Sequence, residues 1–307
     1  MAETMIFSDS FFAMGTRCDV VFVNVEQEFG EQIFHLVKHE VKNLEHLLSR
    51  FIPDSPLSAL NKTGKNNWVY VPDDLWNILT ICFDFYKMSN GAFDITAAPI
   101  IKLWKSNELP TKNEIKKAKQ ISGFDKVEFD FENQKIKFEV DGIEFDLGGI
   151  GKGIALDLVK PILLKQGIKN GIVSFGESSI LALGKHLNGK NWPLGIRNTF
   201  EFNKFVHVFS TSNETITTSS TISNSDDGAV KKRKHIISPV TGMFVELNKA
   251  VSIKSESATL GEFLSTTFLI LPENDRIILS EKLKKIEILE VSYLAGNEYK
   301  TKLTIIE

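Results

Sequence analysis

The sequence predicts an α+β fold of antiparallel strands packed with helices. Near the N-terminus, Ile33, Val37, Val41, Leu44 and Leu48 recur at helical spacing. The middle of the chain reads as strand-like runs joined by tight turns, a meander and not a βαβ unit. The second half alternates short strands with polar turns and ends on helices and two strands.

Valine-rich Thr16 to Val25 is the first predicted strand. Glu31 to Phe51 is the first helix, stopped by Pro53-Asp54-Ser55-Pro56. Asp73 to Met88 is the second, closed by Asn90-Gly91. Lys112 to Gln120 is a short surface helix. Strands are expected over Lys126 to Phe131, Lys135 to Val140 and Ile143 to Leu147, with turns at Glu132-Asn133 and Asp141-Gly142. Ile154 to Gln166 is helical, with Pro161 inside it and Gly167 after it. Four short strands follow: Gly171 to Ser174, Ile180 to Leu183, Leu194 to Arg197 and Lys204 to Ser210. The Ser/Thr/Asn-rich stretch Thr211 to Asp227 reads as turns around a short strand. Ala250 to Lys254 is a strand, and Thr259 to Leu271 and Asn274 to Leu283 are helices. Glu287 to Leu294 and Tyr299 to Ile305 are the last strands.

A chain of 307 residues suffices for one large domain or two intimately packed ones. The order resembles two α+β halves, and no long Pro- or Gly-rich linker separates them. A net charge of −3, from 36 Lys+Arg against 39 Asp+Glu, excludes a dedicated nucleic-acid binder. Cys18 and Cys82 belong to no CxxC pair and are expected to be reduced and buried. Met1 to Phe7 shows no basic leader, and no membrane span is visible. A cytoplasmic location is the direct expectation; an exported form whose leader had been removed would read the same.

The stretch Phe145-Asp146-Leu147-Gly148-Gly149-Ile150-Gly151-Lys152-Gly153 is the most informative. It leads from a strand-like run into a helix-like one. Its glycines permit close backbone approach, and the helix amides beside Lys152 would face an anion. This reads as a seat for a phosphorylated ligand, with a purely structural turn as the alternative. It is neither a Walker loop nor a GxGxxG fingerprint.

Other clusters carry possible chemistry. Met14, in Phe12-Ala13-Met14-Gly15-Thr16, suits a flat aromatic ring or simple core entry. Asp94, in the apolar loop Ser89 to Pro99, needs hydrogen-bond partners from a ligand edge or from an Asx turn. His235, before Ile236-Ile237-Ser238-Pro239, is either a general base or structural. Glu262 and Thr266 stand at i, i+4, so both oxygens share one helix face, as a hard cation such as Mg²⁺ requires. An ordinary polar helix edge gives the same spacing. His35, His39 and His46 fall off the apolar stripe and read as a solvated face. Lys231-Lys232-Arg233-Lys234 reads as a solvated loop or a diphosphate contact. Ser219-Ser220 lacks a GxSxG elbow, so a serine hydrolase is not supported.

Taken in order, these segments resemble the ApbE family of FAD-dependent FMN transferases, over roughly Phe11 to Leu271. The matching motifs are Met14-Gly15-Thr16, Leu48-Ser49-Arg50-Phe51 through Asn61, Gly91 to Thr96 with Pro99 and Trp104, and Asp146 to Gly153. Thr218-Ser219, His235 to Gly242 and Ala258 to Thr266 complete them. The resemblance implies a duplicated T-fold-like α+β arrangement with FAD between the halves, one domain over 1–307. It implies Mg²⁺-dependent cleavage of FAD, attachment of FMN through a phosphoester to a Thr or Ser of an acceptor protein, and release of AMP. By the same resemblance Met14, Phe51, Ala92, Phe93 and Asp94 would contact FAD, and Gly148 and Ile154 would line its diphosphate, with Lys152 nearby. The Gly151 carbonyl, Glu262 and Thr266 would hold the metal. His235 would be the base for the acceptor hydroxyl, and Ile236 would flank the cofactor.

The chain departs from the family pattern at several points. Ala-Asp becomes Gly261-Glu262, His-Ile-Ile-Asp-Pro carries Ser238, and Asn-x-Gly-Gly-Asp becomes Ser174 to Ser179. Thr-Ser-Gly becomes Thr218-Ser219-Ser220. Two other outcomes use the same cleft: an FAD pyrophosphatase yielding FMN and AMP, and a catalytically weak FAD-binding protein.

Overall fold

A 22-residue helix with one apolar stripe and a set of strands with alternating burial can each hide a single face, and they sort into layers accordingly. The computed structural model describes residues 5–105, 109–201, 203–224, 230–232, 236–294 and 297–307. The strands are β1 (Ile6–Ala13), β2 (Thr16–Val23), β3 (Val69–Tyr70), β4 (Val127–Asp130), β5 (Lys135–Phe138), β6 (Gly171–Phe175) and β7 (Ser179–Leu183). They continue with β8 (Trp192–Arg197), β9 (Phe205–Thr211), β10 (Glu214–Ser220), β11 (Ile222–Asn224), β12 (Val230–Lys232), β13 (Lys249–Ser255), β14 (Ile286–Tyr293) and β15 (Tyr299–Ile306). The helices are α1 (Gln27–Leu48), α2 (Pro56–Thr63), α3 (Asp73–Met88), α4 (Ala98–Trp104), α5 (Lys112–Gln120), α6 (Gly151–Lys165), α7 (Ala258–Ile270) and α8 (Glu273–Ser280).

One antiparallel sheet runs β1-β2-β6-β7-β10-β13-β14-β15, so strands from both ends of the chain share it. Helices α1, α6 and α7 cover one face, over a core that extends from Phe7 to Ile288. The β8-β9 hairpin covers part of the other: Phe209 packs with Ile216, Leu289 and Val291, and Trp192 with Val23 and Ala182. A small sheet, β3-β5-β4, lies beside α3, where Trp76 and Phe83 meet Phe129. Both cysteines are buried. Burial, with Asp19 adding to it, pushes the Cys18 thiol up to about 12, and burial alone raises that of Cys82, so neither is a thiolate. Among the described residues no helix is long and apolar enough to cross a membrane.

The α+β class with antiparallel strands is as expected, and several elements differ. Ile143 to Leu147 is not a strand. Asn61 takes both backbone groups of Phe145, accepting its N–H at 2.9 Å and donating to its carbonyl at 3.0 Å. The Asp146 N–H donates to the Ile95 carbonyl at 2.7 Å. With these groups satisfied by a side chain and a loop, no ladder forms. The third strand of that small sheet is β3 instead. β1 was not expected, because Ser8-Asp9-Ser10 interrupts its apolar pattern; Met14 and Gly15 turn it into β2. The stretch read as turns around a short strand contains β10, seven residues long and central in the main sheet. Its hydroxyls, which suggested turns, bond sideways: Thr215 donates to the Ser255 carbonyl at 3.0 Å, and Thr218 meets Ser252 at 2.8 Å. α6 begins at Gly151, three residues early, and keeps Pro161 inside it.

Asn61→Ala strands two buried backbone groups. It is expected to lower stability by about 1–3 kcal/mol in a urea titration.

Candidate active site

A cleft of about 410 Å³ opens where the start of α6, the face of α7, the end of β10 and the loops at 92–97 and 236–239 converge. The glycine-rich segment enters it under tension from charged groups. Arg50, almost fully buried, donates to Glu144 at 2.7 Å and stands 3.0 Å from an Asp146 oxygen. Lys102 pairs with the other Glu144 oxygen. Burial would raise the Glu144 carboxyl, but hydrogen bonds from Lys102 and Arg50 outweigh it and hold the group below its usual range. Asp146 in turn accepts the Gly148 N–H at 2.9 Å, fixing the turn. At the helix start, no partner for the Gly149, Lys152 or Gly153 amide is found among the described residues. Those donors suit an anion.

α6 and α7 touch through their backbones. A Cβ at Gly153 would lie 2.6 Å from the Ala258 carbonyl oxygen and 2.8 Å from Cγ of Glu262. A Cβ at Gly261 would lie 2.4 Å from Oγ1 of Thr217 in β10. Only glycine permits either approach. Glu262 is thereby seated between α6 and the sheet, 4% exposed. Its Oε1 accepts from Lys152 Nζ at 2.7 Å and from Ser179 Oγ at 2.5 Å. One turn on, Thr266 Oγ1 lies 3.0 Å from Ser219 Oγ, which also meets Ser265 Oγ at 2.8 Å.

The opposite wall is the loop after α3. The Phe93 N–H donates to Ser89 Oγ at 3.0 Å, and its ring stands edge-on to Phe263 of α7, centroids 5.4 Å apart. Phe263 stacks flat on Phe85 at 4.1 Å, so α3 and α7 lock this loop. Burial pushes the Asp94 carboxyl up; donors from the Thr96 side chain and backbone oppose the shift, and Asp125 reinforces it.

Of the residues singled out from the sequence, Ala92, Phe93, Asp94, Gly148, Lys152, Ile236, Glu262 and Thr266 line this cleft together. Gly151 does not line it: a Cβ there would lie 3.6 Å from Met14 Sδ and 4.0 Å from Leu48. Met14 is placed with it, its N–H donating to Glu45 at 2.6 Å. Phe51 is 76% exposed and lies against the Arg50 guanidinium at 4.4 Å, beside the cleft rather than in it. Ile154 points to a second, larger cavity of about 600 Å³, lined also by His46, Ile78 and Cys82. A helix shows residues 152 and 154 to different sides, which separates Ile154 from Lys152. His235, Arg233 and Lys234 lie outside the described residues.

Three participants have no role in the sequence reading: Arg50 as a clamp, Ser179, which enters there only within a departure from the family pattern, and Asp157. Asp157, on α6, caps α7 by accepting from Ser257 Oγ at 2.7 Å, Ala258 N–H at 2.8 Å and Thr259 N–H at 2.9 Å. A lone aspartate in the apolar run from Ile154 to Val159 was the available signal.

Free helix amides, a lysine, and a buried carboxylate among hydroxyls are the chemistry of a polyanion site that admits a hard cation. The chain belongs to the ApbE family, whose model matches residues 14–289. A protein of Buchnera aphidicola subsp. Schizaphis graminum named FAD:protein FMN transferase is 28% identical over 268 residues, 84% of this chain and 78% of that one. A protein of the same name from Haemophilus influenzae is 25% identical over 294 residues, covering 91% and 85%. Among solved structures, the flavin transferase ApbE of Vibrio cholerae superposes with a TM-score of 0.84 at 20% identity, over 98% of each chain. The ApbE protein of Thermotoga maritima gives 0.81 at 23% identity, over 99% of this chain and 97% of that one. These likenesses establish the mixed helix and antiparallel-sheet fold.

Asp157→Ala removes three hydrogen bonds from the α7 N-terminus. A loss of about 2 kcal/mol in chemical denaturation is expected.

Proposed function

We propose that this chain is a Mg²⁺-dependent FAD:protein FMN transferase. The observation that carries the reading is the meeting, in one cleft, of the glycine-rich turn with Glu262 and Thr266. The name borne by its relatives supports the same reaction.

The donor set fits a hard cation. Among the described residues no three His, Cys, Asp or Glu side chains gather around one point. An ion here would rest on one carboxylate and neutral oxygens, which suits Mg²⁺ and not a soft metal. Glu262 and Thr266 would hold it; Gly151, which does not line the cleft, would add only its backbone carbonyl, from a first turn of α6 that the close approach of Gly153 to Glu262 keeps near. Bound there, the ion would neutralise charge on the breaking diphosphate.

The amides of Gly149, Lys152 and Gly153 would face the FAD phosphates, and the Lys152 ammonium would add a charge that turns from Glu262 toward them. Ala92, Phe93, Asp94, Gly148 and Ile236 would enclose the nucleotide within the cleft. A dinucleotide extends further, past the glycine-rich turn toward Met14 and Phe51. On this placement Ile154 would back α6 rather than touch the ligand. His235, next in the chain to cleft-lining Ile236, would accept the proton of the acceptor hydroxyl. The acceptor oxygen would bond to the FMN phosphorus, the phosphorus–oxygen bond to the AMP half would break, and AMP would leave with the bridging oxygen.

Incubation with FAD, Mg²⁺ and an acceptor protein is expected to release AMP and give a fluorescent, covalently flavinylated acceptor. Free FMN formed without acceptor would instead identify a pyrophosphatase. FAD bound and left intact would identify a binding protein.

Glu262→Ala is expected to slow AMP release roughly a hundredfold or more while leaving a folded protein. His235→Ala is expected to slow transfer by about 10²–10⁴-fold, with FAD affinity, measured by fluorescence quenching, largely kept.

A further inference from the structure

We propose that Ser179 is a positioning residue that clamps one oxygen of Glu262 so that the other is presented to a cation. The inference rests on the metal reading given above and extends it to a residue outside the helix that bears the candidate ligands.

Ser179 opens β7 and is fully buried. Its backbone is fixed on both sides, paired with Phe175 of β6 and Thr217 of β10. Its hydroxyl lies 2.5 Å from Glu262 Oε1, and an ionised carboxylate only accepts, so the serine proton points at the glutamate. Lys152 donates to the same oxygen at 2.7 Å. Among the described residues Oε2 takes no hydrogen bond, so the two partners occupy one oxygen and leave its twin open to the cleft that Glu262 lines.

The two partners differ in what they can do next. Lys152 is a flexible side chain, partly exposed at the cleft wall, and can swing away. Ser179 is locked in the middle of a sheet and cannot. A glutamate has several rotatable bonds, and ordering them costs entropy. A hydroxyl from a rigid strand meets that cost before the ion arrives, and it keeps the carboxylate aimed after the lysine leaves. Outer partners of this kind orient metal-binding carboxylates generally. An aspartate at 262 would fall short of Ser179 by about one C–C bond, roughly 1.5 Å, so the serine matters only to a glutamate.

The test uses the full chain, stripped with a chelator, and Mn²⁺ as probe, titrated by calorimetry and by its paramagnetic resonance signal, without FAD. Wild type is expected to bind one ion. Ser179→Ala is expected to bind it roughly ten- to a hundredfold more weakly, a loss larger than any fall in melting temperature in chelator accounts for. In a Glu262→Asp background the same serine change is expected to alter affinity less than about twofold, the coupling that a direct interaction predicts. Wild-type affinity in Ser179→Ala would overturn the inference and leave the metal reading intact. An equal loss in both backgrounds, or a loss that tracks a lowered melting temperature, would also overturn it, since the serine would then be merely structural. No Mn²⁺ binding by wild type would sink the metal reading itself, and this inference with it.

Discussion

A carboxylate held almost out of water between two helices and a sheet is the constraint around which this structure is arranged. An ionised group with 4% exposure is costly unless it is paired and hydrogen-bonded, and Glu262 is both. Its seat exists because Gly153 and Gly261 let α7 close on α6 and on β10 to distances that any Cβ would forbid. Asp157 sets the height of α7 against α6 by capping its first turn. Phe263, one residue past Glu262, stacks on Phe85 and stops α7 from rolling. Each contact does little alone, and together they leave the carboxylate one position.

That arrangement also favours one of two cavities as the candidate site. The larger, about 600 Å³, has a floor of Ile78, Ile150, Ile154 and Leu158. Its acidic groups are Glu40, Asp74 and Asp157, the last already engaged by three donors, and negative side chains do not recruit a phosphate. The smaller cleft holds the groups that could: helix amides without partners among the described residues, a lysine on a flexible stem paired with Glu262, and, for a cation, a carboxylate with one open oxygen. Volume favours the first and chemistry the second. Phosphate recognition needs donors and charge, so chemistry governs.

The sequence revealed the site more fully than it revealed the sheet. Short motifs announce themselves by composition: the glycines before Lys152, and Glu262 four residues before Thr266, fall in one cleft as their spacing suggested. Ile154 did not follow, because proximity in sequence along a helix is not proximity in space. Ser179 and Arg50 reach the site from a distant strand and helix end, and no local pattern encodes such a meeting. Strand reading fell short where hydroxyls stood in for hydrocarbon, giving β10 only as a short strand among turns, and failed where a side chain replaced a ladder, at Asn61 and Phe145. In both cases tertiary partners satisfied groups that local chemistry assigns to turns or to strands.

The hydroxyls of β10 show how one strand serves fold and site at once. Thr215 and Thr217 are buried in the sheet beneath α7. Thr217 Oγ1 has no hydrogen-bond partner among the described residues, which costs stability. Ser219, two residues further along the same face, meets Thr266 and Ser265 and lines the cleft. Strand geometry puts alternate residues on one face, so a chain that delivers Ser219 to the cleft also aims Thr215 and Thr217 at α7. Small side chains at those positions are what allow α7 to come close enough, at Gly261, for Glu262 to reach Lys152 and Ser179. The polar centre of the sheet is therefore a consequence of where the carboxylate must stand.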